Sequence, residues 1–265
     1  MPKMERASQD QVRDTWQGYW ESADLGDYAL PRLSTFQVQM LEIVKEAIES
    51  SGGKRILAAG CGQDFVAAYL QRDAGNGLAL TLLDIAPKVL EYNSELFRRN
   101  GLKCATVEGS IFEMPFPDGS FDVIFNTGLM EHFTPEDQTS MIHEVIRLLA
   151  PGGRYVTANP SDAGVIYKYG MGVAKERGTW PFGVEVPVKS LKFVRNTVPG
   201  IRSIEERPFD FAGQLYFLSF IHPALGYLSA PIRIAARSAT VARAMDATLG
   251  RVFGTYLLAS VFERG

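Results

Sequence analysis

The sequence has little of the chemistry that binds structural metals or nucleic acids. Its two cysteines, Cys61 and Cys104, do not form a Cys-x-x-Cys or Cys/His pattern, so we predict no metal site. The net charge is −3, whereas proteins that bind a phosphate backbone usually carry an excess of Lys and Arg. We therefore expect no nucleic-acid partner.

The sequence also lacks a clear export signal and a clear membrane span. The first residues contain no apolar core of a signal peptide, and two thiols in 265 residues suit a reducing compartment. We therefore expect a cytoplasmic protein. The most apolar stretch, residues 211–232, is interrupted by Pro223 and Pro231 and lacks the flanks of a transmembrane helix.

The sequence contains short apolar runs that alternate with segments of helical periodicity. These runs predict five strands, and two further strands are expected near the end of the chain, in the following ranges: 55–60, 78–84, 103–109, 121–127, 153–160, 201–211 and 254–262. This order predicts an α/β protein with a seven-stranded, mostly parallel sheet and helices on both faces. In such sheets, ligands bind at the carboxyl ends of the strands.

The strongest local motif is ILAAGCGQD at residues 56–64, where a strand is followed by two glycines and a helix. Gly60 and Gly62 would permit a sharp turn and close approach of a ligand to the backbone. Asp84 ends the next strand, about twenty residues further on, where a carboxylate can accept both ribose hydroxyls of a nucleoside. Asp84 could also cap the helix that begins near Pro87, and the two roles are compatible.

Four segments in this order resemble the class I S-adenosylmethionine (SAM)-dependent methyltransferases, especially the type 11 small-molecule group. They lie within residues 52–160: RILAAGCGQD, LLDIAP, EGSIFEMPFPDGSFDVIFNTGLMEHF and IRLLAPGGRYVTANP. The resemblance implies a Rossmann-like fold, SAM as cofactor and methyl transfer to a small-molecule acceptor. A dinucleotide oxidoreductase fits less well, because the third glycine of its motif is absent and Asp64 would repel a pyrophosphate.

The resemblance also implies a set of cofactor-binding residues: Ala59, Gly60, Cys61, Gly62, Asp64, Asp84, Ile85, Ser110, Ile111, Asn126 and Thr127. The two glycines would face the methionine part of SAM, and Asp84 would hold the ribose. Ala58 replaces an acid that commonly helps to bind the ammonium group in this family. Asp64 could take over that contact or cap the next helix. These departures leave open a non-catalytic protein that has the SAM-binding fold.

His132, just after the fourth predicted strand, is the candidate general base. An imidazole of ordinary pKa can accept a proton at neutral pH, so O-methylation is slightly preferred over N- or C-methylation. The alternative is that Glu131 and His132 only shape the loop. Related enzymes of quinone pathways bind a divalent metal here with an additional acid, but Gly128 occupies that position, and no metal is predicted.

Two segments are expected to cover the site and bind the acceptor: an N-terminal lid at 1–33 and a lid loop at 161–187. Their candidate acceptor-binding residues are Tyr19, Trp20, Tyr28, Tyr167, Lys168 and Trp180. Ordinary aromatic packing and solvated charges are the alternatives. Residues 34–265 are expected to form the methyltransferase domain.

A helical insertion is expected at residues 212–251, between the last two strands. Its first half is almost entirely apolar, and its second half spaces four arginines among apolar residues. It could pack into the core, roof the acceptor pocket, form a dimer surface or lie on an anionic membrane. The last case would suit a membrane-associated methyltransferase that acts on a lipid or a lipid-linked sugar. The oligomeric state, monomer or homodimer, stays open.

Overall fold

The computed structural model describes residues 9–265. The sheet contains β1 (Arg55–Ala59), β2 (Ala79–Asp84), β3 (Ala105–Glu108), β4 (Phe121–Thr127), β5 (Leu149–Pro160), β6 (Ile201–Phe209) and β7 (Leu257–Arg264). The α-helices are α1 (Gln9–Ser22), α2 (Thr35–Ser51), α3 (Phe65–Asp73), α4 (Pro87–Arg99), α5 (Pro135–Leu148), α6 (Val165–Glu176), α7 (Phe211–Gln214), α8 (Leu218–Ile221), α9 (Pro223–Ala235) and α10 (Ala239–Phe253). A short 3-10 helix, Met130–His132, follows β4.

The seven strands form one sheet in the order β3-β2-β1-β4-β5-β7-β6. All neighbours are parallel except β7, which runs antiparallel to both β5 and β6. The predicted α/β class and seven-stranded sheet are therefore confirmed. The strand order reverses between β1 and β4, and this reversal opens a crevice at their carboxyl ends.

The central strands are buried on both faces, which explains their nearly continuous apolar sequences. Side chains alternate across the sheet, so Ile56 of β1 packs in the core that contains Met40 of α2. Its neighbour Leu57 packs in the opposite core, which contains Met141 of α5. The two cores hold the carboxyl ends of β1, β2 and β4 in fixed positions.

The described part of the predicted N-terminal lid, residues 9–33, packs against these strand ends. The Gln17 amide donates to the Ile85 carbonyl at 3.2 Å, and Lys88 Nζ donates to the carbonyls of Glu21 and Ala23. The rest of that lid prediction, residues 1–8, lies outside the described residues. Helix α1 is thus fixed to the loop that follows β2.

The expectation that 161–187 is a loop was wrong for its first half, which contains α6. The glycines of this segment concealed a helical period whose buried residues are Tyr167, Gly170 and Ala174. A Cβ at Gly170 would lie 2.4 Å from the Phe217 carbonyl oxygen. This glycine is therefore a site of close packing.

The insertion between β6 and β7 is helical and consists mainly of α9 and α10. Within residues 9–265, no helix is both long enough and apolar enough to cross a bilayer.

Candidate active site

A cavity of about 500 Å³ opens at the carboxyl ends of β1, β2 and β4. One wall is formed by the turn after β1 and by the ends of β2 and β3. The opposite wall is formed by the segment after β4 and by residues 182–185, and α1 covers the opening between them. The topological crevice and the cavity therefore coincide.

The turn Gly60–Gly62, hereafter the glycine turn, requires its two glycines. Both have positive φ angles, 65° at Gly60 and 51° at Gly62, which L-residues rarely adopt. A Cβ on Gly62 would also lie 2.9 Å from the Trp20 ring. The glycine turn thus brings bare backbone to the cavity wall and lets α1 pack closely over it.

Asp84 links the end of β2 to the glycine turn. Its Oδ2 accepts the Gly62 N–H at 2.8 Å, and its Oδ1 accepts the Ala86 N–H at 3.0 Å. Burial raises the pKa of Asp84, and these two N–H groups oppose that rise. A carboxylate has about four acceptor positions, more than these backbone N–H groups occupy, so Asp84 can still accept from a hydroxyl group in the cavity. The glycine turn and Asp84 face the same space, as a bound nucleoside requires.

The cavity brings most of the predicted cofactor residues together. Those that line it are Gly60, Cys61, Gly62, Asp84, Ile85, Ser110, Ile111 and Thr127. The other three do not line it. Ala59 is fully buried within β1, and Asn126 is buried with its amide donating to the Tyr155 hydroxyl at 2.9 Å.

Asp64 is the third of these, and it acts as the N-cap of α3. Its Oδ1 accepts the Ala67 N–H at 2.8 Å, and burial raises its pKa to about 7. The structure therefore favours the capping interpretation of Asp64 over a contact with the cofactor, because the side chain points along its own helix.

His132 lies on the opposite wall, where it is 5% exposed. Its Nδ1 is 2.9 Å from the Val184 carbonyl oxygen, which can only accept, so Nδ1 carries the proton and Nε2 has the free lone pair. Burial lowers the pKa of His132 despite that hydrogen bond. The Trp16 ring packs edge-on against the imidazole at 5.2 Å. The result is a neutral imidazole in a fixed orientation.

Two buried acids, Glu131 and Glu185, stand beside His132 on this wall. Glu131 Oε1 lies 3.8 Å from His132 Nε2, and Glu131 Oε2 is buried without a hydrogen-bond partner. Burial, and then the neighbouring charge of Glu185, raise the pKa of Glu131 well above its ordinary value. Glu185 accepts a hydrogen bond from the Tyr167 hydroxyl, and burial raises its pKa too. The cavity-lining residue Glu131 therefore has one buried carboxyl oxygen without a hydrogen-bond partner.

The predicted acceptor residues divide into two groups. Tyr19 and Trp20 line the cavity, and Tyr167 lies behind the cavity-lining residue Glu185. Like Tyr167, the other three are absent from the cavity lining. Tyr28 stacks on Tyr92, Lys168 pairs with Asp162 at 3.0 Å, and Trp180 packs against Phe217 and Phe220.

Several cavity residues were not predicted as site residues: Trp16, Phe36, Phe112, Glu131, Phe182, Glu185 and Tyr256. Trp16 shares a helical face with Tyr19 and Trp20, and that spacing could have identified it. No local sequence pattern identifies Glu185. It reaches the site through long-range contacts, including the hydrogen bond that the Val186 N–H donates to the Glu131 carbonyl. Residues 9–265 contain no group of three or more His, Cys, Asp or Glu that could hold a metal ion.

The family model of the methyltransferase domain matches residues 56–153, from β1 to the start of β5. A probable phthiotriol/phenolphthiotriol dimycocerosates methyltransferase from Mycobacterium ulcerans is 35% identical over 107 residues, 40% of each chain. Phosphoethanolamine N-methyltransferase 1 from Triticum aestivum is 26% identical over 147 residues, 53% of this chain and 29% of the relative. The matched regions thus span less than half of each of these relatives.

Likeness to a solved structure extends over nearly the whole chain. Geranyl diphosphate C-methyltransferase from Streptomyces coelicolor A3(2), solved with S-adenosyl-L-homocysteine (SAH), matches 98% of this chain and 100% of its own. The TM-score is 0.61 at 13% sequence identity, which establishes a shared fold. Residues 56–153 thus match a methyltransferase domain, and the chain as a whole shares the fold of a methyltransferase solved with SAH.

Proposed function

We propose that the protein transfers the methyl group of SAM to a small-molecule acceptor and that an oxygen atom is methylated. The observation that carries this proposal is the shared cavity, in which the glycine turn and Asp84 face His132. The residues predicted to bind the cofactor and the candidate base thus line one cavity.

The residues around the glycine turn suit the cofactor. The turn offers backbone without a Cβ, Asp84 retains acceptor positions for ribose hydroxyls, and Ile85 and Ile111 offer apolar surface to the adenine. When bound, SAM supplies an electrophilic methyl group on a sulfonium centre. Ala58 leaves the ammonium group without the usual acid, and Asp64 caps α3 and does not line the cavity, so that contact would fall to other groups.

His132 supports the choice of oxygen as the methylated atom. Its Nδ1–H is held by the Val184 carbonyl, so Nε2 is the ring nitrogen that can take a proton from an acceptor hydroxyl. Because burial lowers its pKa, the imidazole stays neutral to below its ordinary pKa of about 6.5. The relatives' names include both N- and C-methyltransferases, so they do not select the atom.

Glu131 would contact the acceptor next to this base. Burial raises the pKa of Glu131 well above its ordinary value and so favours the protonated form, which can donate one hydrogen bond. Its unpartnered Oε2 would then be satisfied by the acceptor, while the aromatic rings of Trp16, Tyr19 and Phe182 would cover the acceptor's apolar part.

A screen with methyl-labelled SAM and a metabolite extract tests the proposal. We expect the label to enter a small molecule as a methyl ether or ester, with a matching release of SAH. Transfer to nitrogen or carbon would overturn the choice of oxygen. If SAH binds but no extract is labelled, methyl transfer itself is contradicted and the non-catalytic interpretation is favoured.

A further inference from the structure

Helix α9 buries small residues and exposes large apolar ones. Its buried positions are the small residues Gly226 and Ser229, and a Cβ on Gly226 would lie 2.8 Å from Ser219 Cβ in α8. Its large apolar side chains point to solvent instead. The exposed ones are Leu225, Tyr227, Leu228, Ile232 and Ile234. A helix that packs on a soluble core normally has the opposite arrangement.

The outward face of α9 carries no charge. The one charged side chain of α9 is Arg233, and its guanidinium lies 5.7 Å from the Tyr216 ring centre. Tyr227 is 81% exposed, Leu228 73% and Ile234 61%. Such a continuous exposed apolar face indicates a surface that contacts an apolar partner.

The sequence after α9 adds positive charge and exposes no acid. Arg237, Arg243 and Arg251 are exposed, whereas Asp246 accepts the N–H groups of Asp210 and Phe211. Arg243 pairs with Glu42 at 3.0 Å, so Arg237 and Arg251 are the arginines of this segment that keep their charge available. Residues 223–253 therefore combine an apolar face with cations.

We propose that α9 docks in the plane of an anionic lipid bilayer, with its apolar face in the interface and Arg237 and Arg251 near lipid headgroups. The 13 residues of α9 span about 20 Å, less than the roughly 30 Å of a bilayer core, so the helix lies on the membrane. Charge argues against a second copy as the partner, because in a two-fold contact residues 223–253 would offer these arginines no acid other than Asp246, which is already hydrogen-bonded. Anionic lipids complement the same charges.

This surface does not depend on the proposed methyl transfer. If both proposals hold, docking would bring the cavity close to acceptors dissolved in the bilayer. Lipid binding is measured without SAM and methyl transfer without lipid, so failure of one is distinguishable from failure of the other.

Vesicle flotation of the full chain tests the proposal with vesicles of phosphatidylcholine alone and with added phosphatidylglycerol. We expect flotation with the anionic vesicles and a marked loss in high salt. The triple variant Tyr227→Ser/Leu228→Ser/Ile234→Ser should bind at least roughly tenfold more weakly, because it removes most of the apolar face. Arg237→Ser/Arg251→Ser should weaken binding roughly fivefold for each arginine.

The matched control is Phe193→Ser, which removes an exposed apolar side chain outside the insertion. It should bind vesicles like the wild type. Absence of flotation with the anionic vesicles overturns the proposal, as does an equal loss of binding in the control and the triple variant. A wild-type dimer that the triple variant converts to monomer, without vesicle binding, would also overturn it and assign the face to a second copy.

Discussion

The two walls of the cavity are built in different ways. The wall that we propose binds the cofactor, hereafter the cofactor wall, consists of backbone at strand ends, where the Gly62 N–H and Asp84 are joined by a 2.8 Å hydrogen bond. The opposite wall consists of the side chains of His132, Glu131 and Glu185, which come from segments about 50 residues apart in the chain. A fixed backbone suits a cofactor that every reaction cycle uses, and side chains allow the acceptor to differ between relatives.

Substitution of His132 should have the largest effect, and it tests whether the two walls act independently. His132→Asn retains a donor for the Val184 carbonyl but has no imidazole base. We expect kcat/KM to fall by roughly 10²- to 10⁴-fold, while the SAH affinity measured by calorimetry stays close to that of the wild type. A parallel loss of SAH affinity would show that the walls are not independent.

The pH dependence of the rate in the wild type and in His132→Asn sharpens this test. The wild-type rate should fall as the pH drops through the pKa of His132, which lies below its ordinary value because of burial. His132→Asn should lose this acidic limb. An unchanged limb in the variant would assign the titration to another group and contradict the role of His132 as the base.

Asp84→Asn tests the cofactor wall. The amide keeps the shape of the side chain but removes the charge and replaces one acceptor oxygen with a donor that faces a backbone N–H. We expect SAH affinity to fall by roughly 10- to 100-fold, as for loss of hydrogen bonds to a charged group. The matched control is Asp64→Asn, which retains an effective N-cap on α3 and should bind SAH almost normally. Equal losses of SAH affinity in both variants would indicate that Asp64 also contacts the cofactor.

Gly62→Ala tests the contact between the glycine turn and α1. The positive φ angle costs about 1–2 kcal/mol for a residue with a Cβ, and the new methyl would displace the Trp20 ring. We expect a lower free energy of unfolding and weaker SAH binding, with part of the binding recovered in Gly62→Ala/Trp20→Ala. Unchanged unfolding and binding in the single variant would contradict the described packing.

Glu131→Gln should change SAH affinity less than the other substitutions do, but it should clearly change the free energy of unfolding. Because burial raises the folded-state pKa of Glu131, its contribution to stability is present below its ordinary pKa and is lost as the pH rises through the folded value. The variant should therefore unfold at higher denaturant concentration than the wild type in alkaline buffer, with little difference near pH 4. A variant less stable at every pH would contradict the proposed neutral form of Glu131.

The cofactor wall could be predicted from sequence because its signals are local. Gly60, Gly62 and Asp84 each lie at the end of a predicted strand, and the parallel sheet brings those ends together. Asp64 shows the limit of this reasoning, since an acid at the start of a helix has the same sequence signature as a ligand and as an N-cap.

The opposite wall could be predicted only in part. His132 directly follows β4, so its place was predictable, whereas Glu185 reaches the cavity through contacts of the 177–191 loop with the segment after β4. Tyr28 and Trp180 were aromatic residues in the expected segments, yet they pack on Tyr92 and on Phe217. Sequence spacing does not determine which aromatic side chains face a cavity and which face each other.

The most direct test of the central claim is a crystal structure of the protein with SAH. We predict that the ribose hydroxyls lie within hydrogen-bonding distance of the Asp84 carboxylate and that the amino-acid part runs along the glycine turn. A nucleoside bound elsewhere, or an Asp84 carboxylate that contacts only the Gly62 and Ala86 N–H groups in the complex, would contradict the assignment of the cavity to SAM.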